Sequence, residues 1–198
     1  VQVEWNFDKI TNHKMIKADI IIGIDPGASG GIAWNDTTTK KVCYTSKIPK
    51  TRSELHNCIR NIKMNFESSS ILAVVEMAQR MPTDRQYSVV TYNAIHERIL
   101  TVLEILEINY TQAHPMTWQS KMNLLKRRAK GEKKETYQER KKRLKTAAEN
   151  LNPNIKVTNY IADALLLHEF GMKGLSDYPD KLEENLVRFS RTDQELPF

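Results

Sequence analysis

The sequence predicts an α/β fold, a five-stranded mixed sheet flanked by helices. Two short, unbroken apolar runs, Ile20-Ile21-Ile22-Gly23-Ile24 and Ile71-Leu72-Ala73-Val74-Val75, have the length and composition of buried strands. Longer stretches with apolar residues at helical spacing alternate with strand-like segments in the second half of the chain. Hairpin-linked strands followed by such an alternation give a mixed sheet with helices on both faces.

Val1, Val3, Trp5 and Phe7 alternate with polar residues ahead of the main pattern, as an added edge strand or an interface arm would. Three strands follow between Asp19 and Pro49: the apolar run ending at Asp25, Gly31-Ile32-Ala33-Trp34-Asn35, and Val42 to Ile48. The polar, Thr-rich link from Asn35 to Lys41 suits a hairpin. Leu55, Cys58, Ile59, Ile62 and Phe66 recur at helical spacing, and Ser68-Ser69-Ser70 breaks that pattern before the strand ending in Glu76. After the loop Met81-Pro82-Thr83-Asp84-Arg85, a long helix from about Ser88 to Glu107 carries Tyr92, Ile95, Ile99, Leu103 and Leu106 on one face. A short strand follows near Ile108 to Gln112. Beyond a basic region, a further helix places Tyr137, Leu144, Ala147, Ala148 and Leu151 on its apolar side and ends at Asn152-Pro153. Ile155-Lys156-Val157 is extended, Tyr160 to Phe170 is helical up to a stop at Gly171, and Leu182, Leu186 and Phe189 again have helical spacing. This is the element order of the ribonuclease H-like fold. The expected organisation is an extension at 1–18, one domain over 19–171 and a helical tail at 172–198.

A formal charge of +6 and a pI near 9.2 favour a polyanionic partner. The charge is concentrated: between Lys126 and Lys145 eleven Lys or Arg face three Glu. Lys126, Arg127, Arg128, Lys130, Lys133 and Lys134 fall in an expected loop, and Arg140, Lys141 and Arg143 fall on the following helix. These side chains, with Arg80 and Arg85, are expected to contact DNA phosphates, which position a duplex without reading its bases. The two cysteines, Cys43 and Cys58, show neither a disulfide framework nor metal-ligand spacing. With no run of roughly 18 apolar residues, a cytoplasmic protein without membrane attachment is the expectation.

Three acids stand among aliphatic neighbours: Asp25 before Pro26-Gly27-Ala28-Ser29-Gly30-Gly31, Glu76 after Val74-Val75, and Asp163 within Ile161-Ala162-Asp163-Ala164-Leu165-Leu166-Leu167. Burying a carboxylate is costly unless it is paired or holds a metal, so three from distant parts of the chain suggest one shared cation. Asp25-Pro26-Gly27 is equally the composition of a plain tight turn. Its glycines let the chain turn sharply and leave room for a bulky anion such as phosphate. An actin-like ATPase shares such a strand–Asp–Gly turn, but that class needs two lobes and 198 residues hold one.

Ile22-Gly23-Ile24-Asp25-Pro26-Gly27-Ala28-Ser29-Gly30-Gly31-Ile32-Ala33, Val74-Val75-Glu76 and Ala162-Asp163-Ala164-Leu165 resemble the three motifs of RuvC-type Holliday-junction resolvases. Glu76-Met77-Ala78-Gln79-Arg80-Met81-Pro82 and His114-Pro115-Met116-Thr117-Trp118-Gln119 are closer to the phage-borne branch than to the cellular one. The resemblance runs from about Asp19 to Gly171. It implies a homodimeric endonuclease cutting four-way junctions and related branched DNA with Mg2+, for which Mn2+ substitutes, in the host cytoplasm if phage-encoded. It further implies Asp25, Glu76 and Asp163, with Asn159 as the fourth member, as catalytic metal ligands, and the helix from about Ser88 to Glu107 as part of the dimer surface. Relatives carry an acid or a His one helical turn before the last Asp, where this chain has Asn159, a neutral oxygen donor expected on the same helical face. The resemblance therefore implies a weakened metal corner, the alternative being a protein that binds branched DNA without cutting it. Trp118, Tyr92 and Tyr137 are expected to pack, His168 to pack or cap a helix end, and His114 simply to precede a turn.

Overall fold

The computed structural model describes residues 18–36, 42–66, 69–77, 86–126, 133 and 135–174, and the expected first strand and tail helix lie outside them. Five strands, β1 (Ile20–Ile24), β2 (Gly31–Asn35), β3 (Val42–Lys47), β4 (Ile71–Glu76) and β5 (Asn109–Ala113), form one sheet in the order β3-β2-β1-β4-β5. β2 runs antiparallel to both β1 and β3, while β1, β4 and β5 are mutually parallel. The helices are α1 (Arg52–Asn65), α2 (Gln86–Ile105), α3 (Pro115–Lys121), α4 (Tyr137–Leu151) and α5 (Ala162–Gly174).

β1 is apolar throughout because both its faces are covered. Ile20, Ile22 and Ile24 join Leu55 and Ile59 of α1 and Ile99 and Leu103 of α2 in one core. Ile21, on the opposite face, joins Trp118, Leu144, Leu165 and Leu166 in the other, built with α3, α4 and α5. α1 and α4 begin with the same device: Thr51 and Thr136 each accept from the backbone N–H three residues on, and Glu54 and Glu139 reciprocate.

α5 lies unusually close to β1. A Cβ at Gly23 would come within 2.2 Å of the Ala164 carbonyl oxygen and 2.4 Å of the His168 backbone nitrogen. One at Gly171 would stand 2.7 Å from Ile21 Cγ2 and 2.8 Å from Val74 Cγ2. Gly171 is thus a contact point inside α5 rather than its stop, and the helix continues to Gly174. Buried Asn35 closes the same junction: its Oδ1 accepts from Ile21 N at 2.7 Å and lies 3.2 Å from His168 Nε2, and its Nδ2 donates to the carbonyls of Asp19 and Asp36. His168 packs at the heart of the fold, 0% exposed, and caps nothing. The Gly23→Ala protein should be less stable by about 3 kcal/mol, because backbone atoms must move apart. A urea midpoint equal to that of the parent would contradict this contact.

Three expectations are corrected. α3 is a helix where only a turn was expected, opened by His114, whose Nδ1 accepts from Met116 N, with Pro115 at the first helical position. On α4, Leu144 and Ala148 are buried but Tyr137 is 71% and Leu151 40% exposed, so the apolar stripe is narrower than its spacing suggests. The last described helix starts at Ala162, not Tyr160, since a turn precedes it in which the Thr158 carbonyl accepts from Ile161 N and Ala162 N.

A candidate active site at the ends of β1 and β4

Parallel pairing of Ile24 with Val75 brings Asp25 and Glu76 out side by side at the same end of the sheet. α5, seated on Gly23, carries Asp163 to that end from its first turn. All three carboxylates are buried: Asp25 is 6%, Glu76 9% and Asp163 4% exposed.

The turn after β1 is built around Asp25. Its Oδ1 accepts from Gly27 N at 2.9 Å, its backbone N–H donates to the Gly31 carbonyl at 3.0 Å, and Gly30 N donates to the Gly27 carbonyl at 2.7 Å. A Cβ at Gly30 would meet the Asp25 carbonyl oxygen at 2.0 Å, so a side chain there is sterically barred. Glu76 Oε1 accepts from the indole Nε1 of fully buried Trp118 at 3.1 Å. Asp163 Oδ2 accepts from Lys141 Nζ at 2.5 Å, while its buried Oδ1 has no hydrogen-bond partner.

The electrostatics follow from this crowding. Burial, then the negative charge of Asp163, pushes Asp25 up to about 6 against the pull of Gly27 N–H and Lys141. Burial, then Asp25 and Asp163, pushes Glu76 up to about 8, against the Trp118 hydrogen bond and Lys141. The half-buried Tyr92 hydroxyl of α2 is raised by burial and then by the negative charges of Glu76, Asp25 and Asp163. Burial disfavours the charged form of Lys141, but Asp163 and then Asp25 outweigh it and hold the ammonium protonated.

Among the described residues no three His, Cys, Asp or Glu side chains stand close enough to hold one metal ion as they are. The donor set nevertheless fits a divalent cation in its chemistry. Hard carboxylate oxygens are the ligands Mg2+ prefers, one of them is buried without a partner, and burial with the repulsion of neighbouring carboxylates, which a bound cation would relieve, raises both Asp25 and Glu76.

Asn159 does not share a helical face with Asp163. It lies exposed in the turn before α5, because the helix begins later than its apolar spacing implies. Lys141 turns inward to Asp163 instead of outward to DNA. Arg143 is likewise engaged: Nε and Nη2 donate to the two carboxylate oxygens of Glu135 at 2.8 and 2.9 Å, and Nη1 donates to the Leu124 carbonyl. A fork-shaped guanidinium between a carboxylate and a carbonyl braces the start of α4 and is not free for phosphate. Arg140 is half-buried, and Lys126 and Lys133 are exposed. Arg80, Arg85, Arg127, Arg128, Lys130 and Lys134 lie outside the described residues.

Lys141 was expected at DNA phosphates, whereas Trp118 packs in the core as expected and adds a hydrogen bond to Glu76 that the sequence did not announce. Lys141 is one of eleven basic residues in its stretch, and nothing in the sequence separates it from the rest. For the helix that carries Trp118 one signal existed, since Pro115 is a residue favoured at the first helical position.

Neither a family model nor a curated protein matches this sequence. Its fold is similar to a structure of Thermus thermophilus RuvC, with TM-score 0.52 and 14% identity over 79% of this chain and 97% of that one. It is also similar to T. thermophilus RuvC in complex with Holliday junction substrate, with TM-score 0.53 and 11% identity over 79% of this chain and 96% of that one. The five-stranded mixed sheet with its flanking helices is thus the RuvC-type, ribonuclease H-like fold.

Proposed function

We propose that this chain, built on the RuvC-type fold, is a divalent-metal-dependent endonuclease that hydrolyses phosphodiester bonds in four-way junctions and related branched DNA. The observation that carries the reading is the convergence of buried Asp25, Glu76 and Asp163, one of whose oxygens lacks a partner, at one end of the sheet. Asp25, Glu76 and Asp163 are the residues that would hold Mg2+, or Mn2+ in its place. When bound, the cation supplies positive charge to the phosphate under attack and lowers the pKa of the attacking water. The chain supplies placement. The Gly27–Gly31 turn lets a phosphate approach the Asp25 carboxylate, and Lys141 holds Asp163 and offsets part of the cluster's charge. Cutting two strands of like polarity calls for two such sites, hence a homodimer, with α2 on the shared surface.

Lys126 and Lys133, both exposed, belong by sequence to the basic stretch that would meet duplex arms. If about six phosphates are neutralised, junction affinity should fall about a thousandfold between 50 and 200 mM salt. Fluorescence anisotropy on a labelled junction measures this, and a fall of less than tenfold would contradict a phosphate-dominated interface.

A second reading has an observation of its own. Lys141 occupies Asp163 Oδ2, and Asn159 is neutral and exposed, as in a protein that holds branched DNA without cutting it. Nicks at symmetric positions on opposing strands of a labelled four-way junction, absent from linear duplex, support the nuclease. Tight binding without nicks supports the second reading.

A further inference from the structure

We infer that Trp118 is a positioning residue for Glu76: its indole N–H anchors Oε1 of that carboxylate and so fixes the direction in which Glu76 presents its remaining lone pairs, those of Oε2 foremost, to a cation. The inference rests on the reading that Glu76 belongs to a cation site, and it gives a role to the Pro115-Met116-Thr117-Trp118 segment, which that reading leaves unused.

The geometry is specific. β5 runs parallel to β4 with Ala113 opposite Glu76, and Met77 N donates to the Ala113 carbonyl at 2.9 Å, so the two strands end together. α3 starts at once: His114 caps it, Pro115 sets its first turn, and Trp118 N donates to the His114 carbonyl at 3.1 Å. That short helix returns Trp118 over the end of β4, where the side chain is 0% exposed and Nε1 stands 3.1 Å from Glu76 Oε1. Trp118 is the one hydrogen-bond partner of the Glu76 side chain among the described residues.

Packing alone would ask only for a large apolar ring in this place. Indole adds a single N–H that donates and never accepts, so it fixes one oxygen of the carboxylate and discriminates against rotation of the group. A carboxylate held this way reaches a cation already oriented, and the orienting partner tunes its ligand.

Two measurements test this. The first follows the indole N–H resonances of the uniformly 15N-labelled full chain, whose three tryptophans are Trp5, Trp34 and Trp118. The Trp118→Phe protein assigns the third signal. The Trp118 signal should move in the Glu76→Gln protein without metal, move in the parent as Mg2+ is added, and no longer respond to Mg2+ in Glu76→Gln. The second follows Mg2+ binding by calorimetry and the Mg2+ dependence of junction cleavage in Trp118→Phe. Losing a hydrogen bond to a charged group should raise the Mg2+ needed for half-maximal cleavage about tenfold, with the rate largely restored at saturation. A Trp118 signal indifferent to Glu76→Gln overturns the inference, as does a Trp118→Phe protein with unchanged Mg2+ affinity. If Trp118→Phe fails to fold, the three signals, assigned through Trp5→Phe and Trp34→Phe, decide alone. A parent that binds Mg2+ and cuts junctions while its Trp118 signal stays fixed overturns only the positioning role. A parent that binds no Mg2+ and cuts nothing overturns the nuclease reading and this inference with it.

Discussion

The Asp25→Asn protein is expected to lose junction cleavage by about a thousandfold or more and to be more stable than the parent without metal. Both effects have one cause. Asp25 is held in a buried position beside Asp163, and its pKa is pushed from 3.8 up to about 6. A proton therefore binds the folded chain more tightly than the unfolded one. As pH rises from about 4 to about 6, the unfolded state ionises first and stability falls, and above that range the loss is complete. At pH 7 the charged carboxylate costs the fold up to about 3 kcal/mol, an upper bound because Glu76 and Asp163 share the same field. Asn keeps the shape and the oxygen that accepts from Gly27 N–H, and removes the charge. Glu76, pushed from 4.5 to about 8, should behave alike on Glu76→Gln, with its window reaching from about pH 4.5 to 8. Urea unfolding in EDTA at pH 4 and pH 8 measures the gain, which should be small at pH 4 and complete at pH 8, with about half of it already present at pH 5 for Asp25→Asn. Cleavage within tenfold of the parent, or no gain in stability at pH 8, would contradict the assignment of Asp25 to a charge-crowded centre.

The Lys141→Met protein should change in the opposite sense, losing about 3 kcal/mol at pH 8, because it strips a buried carboxylate of its paired charge. The Asp163 side chain is 6% exposed and that of Lys141 27%, so solvent screens the pair only in part. The Lys141 pKa is raised, so its contribution is complete throughout the neutral range and is lost only as pH climbs through that raised value. In the variant Asp25 and Glu76 lose a compensating charge too, since Lys141 counts among the groups that lower both. The loss should shrink toward pH 5, where protonation relieves the repulsion. Cleavage should fall about a hundredfold, since Asp163 is no longer held and the phosphate loses a nearby cation. A Lys141→Met protein as stable as the parent at pH 8 would show that the ion pair contributes nothing, and faster cleavage would mark Lys141 as an obstacle at Asp163.

The sheet was legible because β1 and β4 are uninterrupted apolar runs, and a strand buried on both faces leaves no other pattern of that length. α2 and α4 were legible from apolar spacing, although the buried stripe of α4 is narrower than that spacing suggests. α3 was missed because seven residues hold too few turns to show a period. The start of α5 was misplaced because Tyr160 and Ile161 continue its apolar spacing while the backbone is still in a turn. Of the site, the three acids stood out by being charged among aliphatic neighbours. Lys141 did not, because a lysine that turns inward and one that points to solvent have the same sequence, and only the packing of α4 against α5 separates them.

As a metal-dependent cutting centre, the buried carboxylates of β1, β4 and α5 should act on a junction and spare a duplex. Cleavage of a labelled four-way junction in Mg2+ by the parent, by Asn159→Asp and by Asp25→Asn, with linear duplex and EDTA as controls, measures this. Paired, symmetric nicks are expected in the junction alone, abolished by EDTA and by Asp25→Asn, and as strong or stronger with Asn159→Asp. Junction binding with no nick from either the parent or Asn159→Asp, in Mg2+ or Mn2+, would contradict that expectation and leave a protein that holds branched DNA without cutting it.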